Sequence, residues 1–128
     1  MIICDTNILI EFYKENDSII HELKRLGTKE LGISAVSQAE LYFGAINKTE
    51  FRQIKRHLSM IQIFPISVEI SNKFIQLMEK YSLSHKLSLP DALIASTSII
   101  KDLELYTLNV RDFQFIEGLK LYQPEKEQ

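Results

Sequence analysis

The chain begins Met1-Ile2-Ile3-Cys4-Asp5-Thr6-Asn7, where a short apolar run stops abruptly at three polar residues. An apolar run of this length with two isoleucines predicts a buried β-strand, and the polar triplet predicts the turn or helix cap that follows it. We therefore expect Asp5 to stand at the carboxyl end of the first strand.

The same change of pattern recurs along the chain and predicts further strands between helices. They fall at residues 31–33, 61–66 and 103–108, with a final short strand near residues 119–122. Strands that alternate with helices are typical of an α/β domain with a mainly parallel sheet, here of four to five strands. A chain of 128 residues matches one domain, which we expect over residues 1–123, followed by a short polar tail at residues 124–128.

The helices are predicted from apolar residues at helical spacing and from polar residues that cap helix starts. Helix starts are expected at Asp17-Ser18, Ser34, Thr49 and Ser67. The helix after Ser34 is expected to bury Val36, Ala39, Phe43 and Ile46. A loop is expected at residues 82–89. The helix that follows, over residues 89–100, is apolar on nearly all sides, so we expect it to be buried between layers.

The composition excludes several classes of protein. The longest apolar stretch, residues 92–100, is far shorter than the roughly 20 residues of a membrane span. The first residues show no basic region and no small-residue cleavage site, so we expect no export. We expect no membrane association and a cytoplasmic location. The three histidines lack partners at zinc spacing and are interpreted as surface residues. The net charge of -2 gives no overall attraction to nucleic acids, so such contacts would depend on local basic patches.

Four acidic residues are the main candidates for a functional site: Asp5, Glu40, Asp91 and Asp112. Ligands of parallel α/β sheets gather at the carboxyl ends of strands, where Asp5 and Asp112 are expected. Glu40 is predicted on a largely apolar helix face, where an unpaired glutamate is uncommon, and Asp91 opens the buried helix. Carboxylates that converge repel one another unless a cation is bound, and their oxygens suit Mg²⁺ or Mn²⁺.

Each of these acids also has an ordinary structural interpretation. Asp5 can cap the next helix. Asp91 can form a capping box with Ser88. Glu40 can reach solvent or a lysine from the edge of its helix face, and Asp112 can be a simple loop aspartate. From the residues alone, both interpretations stay open for each position.

Several motifs, taken in order, resemble the PIN-domain ribonucleases, in particular the toxins of VapBC toxin–antitoxin pairs. The resemblance covers almost the whole chain and rests on residues 3–7, 34–41, 90–95, 107–113 and 118–122. It implies a three-layer α/β/α PIN-like fold. It also implies a Mg²⁺- or Mn²⁺-dependent endoribonuclease that is the toxin of a type II toxin–antitoxin system.

The resemblance further implies roles for individual residues. Asp5, Glu40, Asp91 and Asp112 are expected to be catalytic. Asp5, Asp91 and Asp112 would ligate one or two metal ions, while Glu40 completes the shell or orients water, and Thr6 and Thr107 support the site by hydrogen bonding. A homodimer is implied as well, together with a cognate antitoxin bound in a groove lined by the first helices and the helix over residues 36–46.

The RNA substrate would require basic or aromatic contacts. Arg52, Lys55 and Arg56 share one face of a predicted helix and can form a basic stripe for phosphates, although a solvated helix face has the same spacing. Further basic candidates near the expected site loops are Lys14, Lys86 and Arg111. Three aromatic side chains can stack on bases, although their helical spacing fits packing better, namely Tyr13, Tyr42 and Phe43.

Two other functions compete with a nuclease. A non-catalytic PIN-like RNA- or protein-binding module is the main alternative, because an intact set of acids does not prove turnover. An acid-nucleophile phosphatase is disfavoured, because Asp5-Thr6-Asn7 lacks the second aspartate two residues after the first.

Overall fold

The described part of the chain contains a sheet of four parallel strands. A computed structural model describes residues 1–124, and its strands lie in the order β3-β2-β1-β4. They are β1 (Ile2–Cys4), β2 (Leu31–Ser34), β3 (Gln62–Phe64) and β4 (Glu104–Tyr106). Ile3 of β1 lies opposite Gly32 on one side and Leu105 on the other. The carboxyl ends of neighbouring strands therefore meet at one edge, as the sequence predicts.

Helices connect the strands and begin where the sequence supplies caps. Within residues 1–124 they are α1 (Thr6–Tyr13), α2 (Asp17–Leu26), α3 (Ala35–Phe43), α4 (Lys48–Leu58), α5 (Val68–His85) and α6 (Leu89–Lys101). Short 3-10 turns lie at Thr28–Glu30 and Val110–Asp112.

The two faces of the sheet are both covered by helices. Ile2 and Cys4 belong to one buried cluster, which includes residues of α1, α2, α3 and α4. Ile3 belongs to a second cluster, with residues of α5 and α6. Since alternate residues of a strand point to opposite faces, the two clusters are the two sides of a three-layer α/β/α domain. The predicted fold class is confirmed.

The final strand predicted near residues 119–122 is wrong, because the chain there makes only an isolated parallel bridge between Leu121 and Leu105. Two backbone bonds hold it, from Leu105 N to Lys120 O at 2.9 Å and from Tyr122 N to Leu105 O at 2.8 Å. Leu121 is the only residue of this segment that pairs with β4, a strand of three residues. A single pair does not form a strand. Of the tail expected at residues 124–128, residues 125–128 lie outside the described part.

The helix starts predicted at Ser34 and Ser67 are confirmed, and Ser88 caps α6. The side chains of Ser34, Ser67 and Ser88 each accept a backbone N–H in the first turn of the following helix. Asparagines cap the other two helices instead of the expected residues. Asn16 accepts from Ile19 N, so α2 is not capped by Asp17-Ser18, and Asn47 accepts from Glu50 N, so α4 begins before Thr49.

The buried face of α3 differs from the predicted one. Phe43 is 94% exposed and Ile46, beyond the end of the helix, is 82% exposed, whereas Ser37 and Leu41 are buried. Of the other two predicted positions, Val36 is partly buried and packs against the core, whereas Ala39 is exposed. The prediction followed hydrophobicity and so passed over the buried serine. Two large apolar side chains are consequently left on the surface.

Helices α5 and α6 lie together on one side of the sheet. Helix α5 runs to His85, so residues 82–85 are not part of a loop as expected. Since these residues include no glycine or proline, the helix continues until Lys86, which takes a left-handed φ of 54°. In α6 the residues from Ile94 to Ser98 are all buried, which confirms the buried helix. Within residues 1–124, no helix has the length and apolar character needed to cross a membrane.

Gly32 leaves room for the ring of Phe64, on β3, to lie against β2. A Cβ atom at Gly32 would lie 2.6 Å from Cε2 of Phe64, whereas one at Gly44 would meet nothing nearer than 3.5 Å. We expect Gly32→Ala to lower the free energy of unfolding by about 1–3 kcal/mol, the usual cost of overpacking. Gly44→Ala is the matched control and should leave stability nearly unchanged. Urea denaturation measures both, and equal stability of the two variants would contradict the argument.

Candidate acidic site

Asp5 lies at the carboxyl end of β1 and is held on both sides. Its Oδ1 accepts the Thr6 backbone N–H at 2.8 Å, and its Oδ2 accepts the Thr107 hydroxyl at 2.8 Å. The Asp5 N–H donates to Tyr106 O at the end of β4. The side chain is only 5% exposed. Asp5 therefore caps α1, which is the structural role that the sequence also allowed. It links the ends of β1 and β4 as well.

Glu40 reaches the same region from α3. Thr6 donates its hydroxyl to Glu40 Oε1 at 2.7 Å, so one threonine contacts two acids, Asp5 through its backbone and Glu40 through its side chain. Glu40 is partly buried. The structure thus gives this glutamate a specific partner on α1, rather than the lysine or solvent of the structural interpretation.

Asp91 and Asp112 complete the acidic group. Asp91 lies in the first turn of α6, where its N–H donates to Ser88 Oγ, and is partly buried. Asp112 ends the 3-10 turn after β4 and is exposed. Asp91 is thus also part of a helix cap, and Asp112 is a loop aspartate whose charge faces the others.

The charges of these acids act on one another. Burial raises the pKa of Asp91 to about 6, and the nearby charges of Asp5, Asp112 and Glu40 add to the rise. Burial also raises the pKa of Asp5; the bonds from Thr107 and Thr6 oppose that change, while Glu40 and Asp112 reinforce it. The four sequence-predicted acids therefore lie near enough to form one electrostatic site, in which bound positive charge would relieve repulsion.

The donor set suits a hydrated divalent cation. Among the described residues, no three acidic, histidine or cysteine side chains are grouped closely enough to enclose a metal ion. Mg²⁺ usually keeps several water molecules and binds through one or two carboxylates, so it does not need such a cage. Asn7 Oδ1, in the first turn of α1, is buried with no hydrogen-bond partner in the described part of the chain. A buried oxygen of this kind fits a site completed by water or an ion.

The basic and aromatic candidates differ in where they lie: Lys14, which is exposed, and Tyr13 line one pocket together with Glu40. Arg52, Lys55 and Arg56 are exposed on α4, as the stripe requires, and Lys86 and Arg111 are exposed in the loops before Asp91 and Asp112. Tyr13 and Tyr42 are engaged in packing, with the Tyr13 hydroxyl bonded to His57 and the Tyr42 ring against Phe51. Phe43 alone of the three aromatic candidates is free of such packing, since it is almost fully exposed.

His57 is not the surface residue that the sequence analysis expects. Its ring stacks on Phe12 at 5.2 Å, its Nδ1 lies 2.8 Å from the Tyr13 hydroxyl, and burial lowers its pKa. These residues line a groove of about 650 Å³ formed by α1, α3 and α4. The groove also contains Ile10, Ile54 and, from the acidic site, Glu40.

Ser37 is a site residue that sequence reasoning missed. It is fully buried, and its Oγ lies 2.8 Å from the Thr6 hydroxyl. The available signal was its position three residues before Glu40, which puts both side chains on one helix face.

The fold and the acidic edge of its sheet define a known class of protein. The chain matches the family model described as PIN domain over residues 2–117. The chain therefore belongs to the PIN-domain family, which confirms the resemblance seen in the sequence.

Within that family, the chain is similar to VapC proteins. It is 34% identical over 125 residues to Ribonuclease VapC10 of Mycobacterium tuberculosis, covering 94% of this chain and 91% of that protein. A chain of a toxin-antitoxin complex from Klebsiella pneumoniae has a TM-score of 0.80 and 31% identity, covering 93% of this chain and 95% of that one. A chain of VapBC2 from Rickettsia felis, bound to a DNA fragment from its promoter, has a TM-score of 0.77 and 28% identity, covering 95% of this chain and 98% of that one.

Neutralising Asp91 should stabilise the metal-free protein near pH 7. The folded pKa of about 6 lies above the ordinary 3.8, so this group favours folding below pH 4 and loses that contribution as the pH rises through 6. In EDTA at pH 7, Asp91→Asn should be more stable than wild type by on the order of 1 kcal/mol after allowance for solvent screening. The gain should vanish near pH 4.

Urea denaturation at the two pH values measures this effect. Asp102→Asn is the control of opposite sign, because the bond from Lys120 lowers the pKa of Asp102. A gain for Asp91→Asn that is the same at both pH values would contradict the electrostatic argument.

Proposed function

We propose that this protein is a Mg²⁺- or Mn²⁺-dependent endoribonuclease and the toxin of a VapBC-type toxin–antitoxin pair. The observation that carries the proposal is the convergence of four acids at the carboxyl edge of the sheet, two of them with raised pKa values. The similarity to Ribonuclease VapC10 supports the choice of RNA as substrate.

Each acid has a distinct part in the proposed site. Asp5 and Asp91 would ligate the metal directly, and Asp112 would hold a second ion. Asp5 is the most firmly held of the three because both of its oxygens are hydrogen-bonded. Glu40 is fixed through Oε1 by Thr6, which leaves Oε2 to orient the attacking water. When bound, the metal would lower the pKa of a bound water molecule and neutralise the charge that develops on the phosphodiester.

Thr6 and Thr107 would support the acids rather than contact the RNA. Thr107 donates to Asp5 Oδ2 and accepts the Asn109 N–H at 3.0 Å, so it joins the acid to the loop that leads to Asp112. The exposed stripe of Arg52, Lys55 and Arg56 remains a predicted contact for RNA phosphates, because α4 presents these side chains to solvent.

Loss of the Asp5 carboxylate or of the metal should abolish RNA cleavage. We expect Asp5→Asn and EDTA each to reduce cleavage by purified protein to background, since the site would lose its most rigid ligand or the cation itself. Asp102→Asn, which changes an exposed carboxylate paired with Lys120, should cleave like wild type.

Gel analysis of labelled RNA with added Mg²⁺ or Mn²⁺ measures the effect. Cleavage that persists in EDTA and in Asp5→Asn would exclude the metal site. Failure of the wild type on transfer, ribosomal and messenger RNA alike would favour the non-catalytic binding module.

The groove between α1, α3 and α4 is the proposed site for the antitoxin. Its walls include the apolar Ile10 and Ile54, and Glu40 gives it an acidic end at the catalytic group. An amphipathic helix with a basic side chain directed at Glu40 would match these features. The solved complexes that resemble this chain support a protein partner of this kind.

We also propose a homodimer and a cytoplasmic location. Phe43 and Ile46 leave apolar area exposed at the end of α3, which association with a second copy or with the antitoxin would cover. Light scattering of the purified protein tests the dimer.

A charged residue introduced into the groove should block rescue by the antitoxin without removing toxicity. Expression of the wild-type chain should arrest growth, and co-expression of a small protein encoded beside it should restore growth. Ile10→Glu places a buried charge against an apolar partner, so it should still arrest growth but resist rescue. Val68→Glu, at an exposed position that does not line the groove, should be rescued like wild type. Rescue of Ile10→Glu at the wild-type level would exclude this groove as the antitoxin site.

A further inference from the structure

Ser37 begins a chain of polar side chains that ends at Glu40. Its Oγ lies 2.8 Å from the Thr6 hydroxyl oxygen, which in turn lies 2.7 Å from Glu40 Oε1. Ser37 is 0% exposed, so its hydroxyl is shielded from water and depends on protein partners. Three side chains on two helices are thus joined in series.

The number of available hydrogens decides which group donates in each of these two contacts. A threonine hydroxyl has one hydrogen to donate, and a carboxylate oxygen only accepts. The Thr6 hydrogen therefore goes to Glu40. The remaining contact requires the Ser37 hydroxyl to donate to Thr6.

Two buried hydroxyls outside the acidic site bond within their own helix. Ser96 donates to Ala92 O at 2.6 Å and Thr97 donates to Leu93 O at 2.8 Å, both in α6. A bond to the carbonyl one turn back is the usual arrangement for helical serine and threonine. Ser37 instead bonds a side chain 31 positions away in sequence, and so fixes α3 relative to α1 at the acidic site.

We propose that Ser37 is a positioning residue of the acidic site, which acts through Thr6 on Glu40. Its donated hydrogen orients the Thr6 hydroxyl, and the Thr6 hydroxyl holds the Glu40 carboxylate. Because the Thr6 backbone N–H also holds Asp5, a displaced Thr6 would move two acids together. This role rests on the proposed function, since it concerns the same acids.

Ser37→Ala tests the role, with Ser96→Ala as a matched control that removes another fully buried serine hydroxyl. Both variants should lose a similar amount of thermal stability. Only Ser37→Ala should lower kcat for RNA cleavage, by about tenfold for one lost hydrogen bond, with little change in KM. It should also raise the Mn²⁺ concentration that half-maximally stabilises the RNA-free protein against heat. Ser37→Thr keeps the hydroxyl and should restore both properties.

A double-mutant cycle shows whether Ser37 acts through Thr6. In a Thr6→Val background, Ser37→Ala should have no further effect on cleavage or on Mn²⁺ stabilisation. An undiminished effect in that background would overturn the relay. Should Ser37→Ala fail to fold, Ser37→Cys replaces it, because a thiol is a weaker donor of similar size.

The outcomes separate this role from the proposed function. A wild type that cleaves, with Ser37→Ala indistinguishable from Ser96→Ala in kcat and Mn²⁺ response, overturns the positioning role alone. A wild type that neither cleaves RNA nor is stabilised by Mn²⁺ overturns both.

Discussion

The buried carboxylate of Asp5 is the interaction on which the rest of the structure depends. Its two oxygens accept bonds from residue 6, at the start of α1, and from residue 107, just after β4. One side chain thus starts the first helix and ties the first strand to the last, across nearly the whole length of the sequence. The constraint is strong because a buried carboxylate needs its hydrogen bonds. The same constraint fixes in place the acid around which the other three gather.

This arrangement has an electrostatic cost. Asp5 and Asp91 both have raised pKa values, with burial as the larger cause and mutual repulsion as an additional one. A fold selected only for stability would not bring these charges together, so the strain is a functional signal. Hydrogen-bond donors moderate it: the Thr107 hydroxyl and the Thr6 backbone N–H lower the pKa of Asp5, and the Ser88 side chain lowers that of Asp91. The site therefore combines charge that favours a cation with neutral donors that keep the metal-free fold intact.

The sequence predicted the fold, and it predicted that the four acids lie near one another, because both follow from local patterns. Short apolar runs ending in polar residues located the strands, and the parallel sheet then brought Asp5 and Asp112 to one edge. The errors arose where a tertiary contact outweighed hydrophobicity. Phe43 and Ile46 are apolar yet exposed, whereas Ser37 is polar yet fully buried, because its hydroxyl has a partner on another helix. His57 was misplaced for the same reason, since its bond to Tyr13 joins α4 to α1. Such partners are invisible until the helices are packed.

Glu40 belongs both to the acidic site and to the groove between α1, α3 and α4. A molecule that fills the groove therefore covers part of the site directly, and no conformational change has to carry the signal. Control by a groove-bound protein would then depend on stoichiometry. The number of active molecules would equal the number of copies of this protein in excess of the inhibitor. Activity would therefore appear only above a threshold ratio of the two proteins. Faster turnover of the inhibitor would be enough to cross it.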